Sequence, residues 1–135
     1  LCPIFIESVR LRVSPRKYRY PDLMALYGTP ITDGEKPPAL LNPALAVEVL
    51  SASTEYTDST KKLAEYATVS SLKDYLMVAQ GEYFVTHCVK QSERQWVVTQ
   101  YADPADIITL DSLSVSISLA QIYRKMAFAL PSAEE

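Results

Sequence analysis

Apolar and polar positions alternate along the first part of the chain. Val9, Leu11 and Val13 fall on one side and Arg10 and Arg12 on the other, which predicts a half-buried strand over residues 4–13. Ser14-Pro15-Arg16-Lys17 is a turn with proline at its first corner, and residues 18–20 begin a returning arm. Pro21 lacks a ladder donor and belongs at an edge or bulge, ahead of a short apolar strand over 22–27. Residues 28–43 read as loop, with Asp33-Gly34 as a turn signal. Leu45-Ala46-Val47-Glu48-Val49-Leu50 is the most apolar strand, so it belongs at the centre of the sheet.

A polar loop over 51–59 leads to a helix over 60–68, capped by Asp58 or Ser59. Leu63, Ala64 and Ala67 form its apolar face, with Lys62, Glu65 and Tyr66 adjacent. Strands are expected over 75–79, 83–89 and 95–101, the last two as a hairpin, and short ones over 107–110 and 115–117. A helix over 119–130 closes the pattern. Strands, a helix, strands and a helix predict a mixed sheet with few helices, an α/β fold bordering on α+β.

Composition changes this picture little. The 135 residues suit one compact domain, with 48% hydrophobic residues and no apolar run near the ~20 residues of a membrane span. No secretory signal pattern opens the chain. Cys2 and Cys88 lack metal spacing and read as two buried thiols of a reducing cytosol, rather than as a disulfide.

Charge is more informative. Residues 1–20 carry five bases (Arg10, Arg12, Arg16, Lys17 and Arg19) and one acid, on a chain of net charge −3. Such a stripe contacts a polyanion's phosphates or is the solvated face of a strand; the pattern alone leaves both open.

Three residues stand out as candidate chemistry. Glu48 puts a carboxylate in the middle of an apolar strand, where an unpaired charge costs several kcal/mol. It is either a metal ligand or an acid paired with a helix lysine. Asp22 is either a turn aspartate or a second carboxylate on a neighbouring strand, and two such acids suit Mg²⁺. Lys62 is either a surface lysine paired with Glu65 or a cation for attacking water and phosphoryl charge. His87 has no ligand partner at suitable spacing and reads as a core or edge histidine.

Taken together, Tyr20-Pro21-Asp22, Val47-Glu48-Val49-Leu50-Ser51-Ala52-Ser53-Thr54, the run Asp58 to Tyr66, Leu72 to Val78 and Ile117 to Tyr123 resemble the Uma family of restriction endonucleases, a branch of the PD-(D/E)XK nucleases. The resemblance spans about residues 2–123. It implies a restriction-endonuclease-like mixed sheet and Mg²⁺-dependent (or Mn²⁺-dependent) hydrolysis of DNA phosphodiesters in the cytoplasm. A homodimer would serve to cut both strands.

By position, Asp22 and Glu48 become the metal-binding acids. The superfamily lysine, expected two residues beyond the second acid, is replaced by Leu50, and its role passes to Lys62. The resemblance also implies that an N-terminal segment, with a helix and a further glutamate, is missing. The alternative function is a catalytically silent nucleic-acid-binding or protein-interaction domain that keeps the nuclease fold.

Overall fold

A computed structural model describes residues 3–51 and 56–125, giving only the backbone for 56–60 and 125. Its strands are β1 (Ile4–Glu7), β2 (Arg10–Ser14), β3 (Lys17–Arg19), β4 (Leu23–Leu26), β5 (Ala39–Leu40), β6 (Leu45–Leu50), β7 (Asp74–Ala79), β8 (Val85–Ser92), β9 (Gln95–Tyr101), β10 (Ile107–Leu110) and β11 (Val115–Ser118). The helices are α1 (Tyr56–Tyr66) and α2 (Leu119–Lys125), with a 3-10 turn at Asp111–Leu113.

Six strands form the main sheet in the order β1-β4-β6-β7-β8-β9. Only β6 and β7 run parallel, because the chain returns between them through α1; the other neighbours are antiparallel. This is the mixed sheet with few helices that the alternation predicted. The central place of β6 explains its composition: it is bonded on both edges and covered on both faces, so only apolar side chains are cheap there.

Each face has its own cover. On one, Met24, Ala46, Tyr75, Met77 and Cys88 pack with Tyr66 of α1 and with Leu11, Val13 and Leu40 of a small sheet ordered β3-β2-β5. On the other, Val47, Leu76, Val78 and Val85 pack against the β10–β11 hairpin and α2 through Ile108, Leu110, Leu113, Leu119 and Ile122. Alternation along β6 assigns Ala46, Glu48 and Leu50 to the α1 face.

Several expectations are corrected. The single strand over 4–13 is broken at Ser8, whose φ of 60° turns the chain out of the main sheet and into the small one. Ile6 and Val9 pack on the same core three residues apart, so the alternation slips by one at the break, too small a signal to show that the chain changes sheets there. The expected loop over 28–43 contains β5, a two-residue strand parallel to β2. Helix α1 starts four residues earlier than expected, so Lys62 lies in its second turn; the side chains of Asp58 and Ser59 fall outside the described residues. Its buried face is Leu63, Tyr66 and Ala67, while Ala64 is exposed.

Trp96 Nε1 donates to Leu63 O at 3.2 Å and Lys90 Nζ to Val69 O at 2.7 Å, fixing the end of α1 on the sheet. The expected helix over 119–130 is seen as α2 over Leu119–Lys125, and residues 126–130 lie outside the described residues, as does Cys2. Cys88 is buried and free. Among the described residues no helix is long and apolar enough to cross a membrane.

Candidate active site

Glu48 is 5% exposed, on the α1 face of the central strand. Its two carboxylate oxygens meet different donors from one helix: Lys62 Nζ pairs with Oε1, and the Tyr66 hydroxyl donates to Oε2. Lys62 and Tyr66 are four apart, so they lie on the same face of α1 and reach the same carboxylate. Leu50, two residues beyond Glu48, is half-buried against this core and offers no cation. The cation beside Glu48 comes instead from α1.

Tyr75, from β7, completes the surroundings. Its ring stands edge-on to Tyr66, with centroids 4.9 Å apart and planes at 87°. Burial, followed by the Glu48 charge, pushes both phenols well above the ordinary tyrosine range. They remain protonated donors. Asp22 adds to the same effect on Tyr75. The Tyr75 hydroxyl is wholly buried in the field of these two carboxylates, and among the described residues it has no hydrogen-bond partner.

Asp22 comes from the neighbouring strand. The pairing of Leu23 with Val47 sets Asp22 one step further on, beside Glu48. Asp22 N donates to Val47 O at 2.9 Å, and Val49 N donates to Asp22 Oδ2 at 2.7 Å. Asp22 is thus tied to β6 on both sides of Glu48. The residue is exposed, and among the described residues Oδ1 has no hydrogen bond.

Two carboxylates on adjacent strands, Asp22 exposed and Glu48 buried, are oxygen donors of the kind a hard cation takes. Among the described residues no group of three or more His, Cys, Asp or Glu could enclose a metal, so water or phosphate would complete its coordination. Neither Tyr66 nor Tyr75 is among the candidate site residues read from the sequence. The spacing of Tyr66 from Lys62 was the available signal; Tyr75 had none, since its place near Glu48 follows from the pairing of β7 with β6.

The basic stripe is largely built into the fold. Arg10 lies over the Tyr18 ring, 4.1 Å from its centroid, and donates to Pro37 O. Arg12 donates to Pro15 O at 3.0 Å and approaches Asp33 at 4.0 Å. Arg19 grips Glu65 with two bonds of 2.6 Å, and Lys17 adds a third at 2.8 Å. These bonds hold the Glu65 carboxyl down at about 2. The expected Lys62–Glu65 pair is therefore replaced by two others, Lys62 with Glu48 and Glu65 with Arg19 and Lys17. Arg16 is exposed, with no ion pair among the described residues.

On the opposite face, His87 Nε2 lies 2.7 Å from Asp74 Oδ1, and Ser112 Oγ donates to Asp74 Oδ2. His87 is buried, as a core histidine should be. That face also holds a cavity of about 500 Å³, lined mainly by apolar side chains including Phe5, Val47, Val49 and Leu76, and bordered by Asp22 but not by Glu48.

Comparison with known proteins gives consistent results. The model of the Uma2 family, described as "Putative restriction endonuclease", matches residues 1–121. Two uncharacterized proteins of Synechocystis are similar, one 36% identical over 72% of this chain and 55% of its own length, the other 31% identical over 94% of this chain and 66% of its own. The chain thus spans roughly half to two-thirds of these relatives. A crystal structure from Anabaena variabilis, described as a putative nuclease belonging to DUF820, superposes with a TM-score of 0.66 at 14% identity, covering 92% of this chain and 69% of that one. At that identity the likeness is one of fold.

Proposed function

Because the chain belongs to the Uma2 family of putative restriction endonucleases, we propose that it hydrolyses DNA phosphodiester bonds with Mg²⁺ or Mn²⁺. The observation that carries this reading is the attachment of Asp22 to β6 on both sides of Glu48, while Lys62 rests on Glu48 itself.

Asp22 and Glu48 would hold the cation through carboxylate oxygens. When bound, it supplies positive charge that polarises the phosphoryl group. Tyr66 keeps the Glu48 carboxylate in one orientation by donating to Oε2. Lys62 orients the attacking water and offsets charge on the phosphoryl oxygens, a role that needs a cation near the site rather than a particular strand register. Arg16, exposed at the β2–β3 turn, is the side chain of the stripe free to reach a phosphate. Arg10, Arg12, Lys17 and Arg19 support that surface through their own contacts, adding positive potential.

A second reading has its own support. Glu48 is fully satisfied by Lys62 and Tyr66, as it would be in a domain that kept the fold and bound nucleic acid or protein without cutting.

Incubation of purified protein with supercoiled plasmid and Mn²⁺ or Mg²⁺, alongside Glu48→Ala, Asp22→Asn and Lys62→Met, separates the two. Nuclease action requires nicked or linear product that is lost in all three variants. Cleavage that survives Glu48→Ala refutes the site, and no cleavage beside retained DNA binding supports the silent domain.

A further inference from the structure

We infer that Lys62 is an exchangeable counter-ion for Glu48, holding the oxygen a divalent cation needs and releasing it when that cation enters. The inference rests on the metal-dependent reading above and concerns how its site is kept ready.

A carboxylate as buried as Glu48 is tolerated only beside positive charge. Its two donors differ in mobility. Tyr66 is fully buried, fixed edge-on against Tyr75, and cannot leave Oε2 without opening the core.

Lys62 is the opposite. Its side chain is 24% exposed, and a four-carbon stem lets the ammonium swing into water. A divalent cation approaching Glu48 therefore finds Oε2 blocked and Oε1 occupied by a movable charge of its own sign. Two cations on one oxygen repel each other, so Lys62 must withdraw. Asp22, exposed on the neighbouring strand, offers a second carboxylate whose Oδ1 has no hydrogen bond among the described residues. A withdrawn ammonium stays within a stem's length of the site, where the proposed reaction needs it. Binding of the cation is weakened by this competition, and the empty site is spared an uncompensated charge.

The test titrates Mn²⁺ alone, without nucleic acid, into wild type, Lys62→Met, Lys62→Arg and Glu48→Gln by calorimetry. Thermal melts are recorded with and without the ion. Lys62→Met should bind about tenfold more tightly than wild type, since one partly buried ion pair no longer has to break. Lys62→Arg keeps the charge and should gain nothing, while Glu48→Gln should bind more weakly than wild type. Mn²⁺ should raise the Tm of Lys62→Met more than that of wild type.

Equal or weaker binding by a folded Lys62→Met, with wild type still binding, overturns the exchange and leaves the metal site standing. No binding by folded wild type or Lys62→Met overturns the metal reading and the exchange with it. A Lys62→Met protein that folds only with Mn²⁺ supports the exchange. If Lys62→Met and Lys62→Gln both stay unfolded even with Mn²⁺, the ion cannot take the lysine's place and the exchange is refuted.

Discussion

Replacing Glu65 by Gln should reveal how the β2–β3 hairpin holds α1 over Glu48. Arg19 Nε and Nη2 each reach a different Glu65 oxygen at 2.6 Å, with Lys17 at 2.8 Å. Those bonds, Arg19 first, lower the carboxyl from its ordinary 4.5 to about 2. At 1.36 kcal/mol per pH unit the shift has a ceiling of roughly 3 kcal/mol. Arg19 and Lys17 are 33% and 52% exposed, so water screens the pair. The net effect at neutral pH should be about 1–2 kcal/mol.

The sign follows from proton uptake. Below the ordinary 4.5 the unfolded carboxyl is protonated while the folded one stays charged until about 2. Its contribution is therefore whole above about pH 5 and is lost as pH falls toward 2. Urea denaturation of both proteins at several pH values and constant ionic strength measures this directly. The Glu65→Gln penalty should be greatest near neutrality, shrink steadily below about pH 5, and weaken in high salt. A penalty of equal size at pH 3 and pH 7 would falsify the ionic account, as would the absence of any penalty.

Three further outcomes are expected. Tyr66→Phe leaves Oε2 of a buried carboxylate without its donor and should cost about 1.5–3 kcal/mol in urea melts; an unchanged midpoint would mean that water replaces the phenol. Asp74→Leu strands His87 and Ser112, and should cost about 3 kcal/mol or more, whereas a stability gain would show the buried network to be dispensable. In a Cys2→Ser background, Cys88 is fully buried with its thiol pushed up to about 11. It should react with a disulfide reagent at least ~100-fold more slowly than in urea, and rapid native labelling would contradict the packing of β8.

The pattern of residues revealed much of the frame. Alternation in β2, the uninterrupted apolar run of β6 and the paired runs of β8 and β9 each follow from which sides of a strand meet water, a local property. The break at Ser8 and the pairing of β5 with β2 were not legible, because each depends on a partner strand elsewhere. Helix α1 was recognisable but displaced, and Ala64 was assigned inward although it faces solvent. Alanine packs at low cost in either environment and so carries little directional information.

The candidate site divides in the same way. Sequence alone determined that Glu48 interrupts an apolar strand, that Asp22 opens another short apolar strand, and that Lys62 lies in the helix that follows Glu48's strand. It left undecided whether Glu48 had a partner. Tertiary structure chose Lys62 and Tyr66 for its oxygens, tied Asp22 to the backbone on both sides of Glu48, and placed the orphaned Tyr75 hydroxyl in the field of the two acids. It also committed Arg19 and Lys17 to Glu65, which the charge count alone had left available to a polyanion. The reason is physical: burial and periodicity are written locally, residue by residue, whereas the pairing of charges depends on distances of a few ångströms that exist only once strands and helix have met.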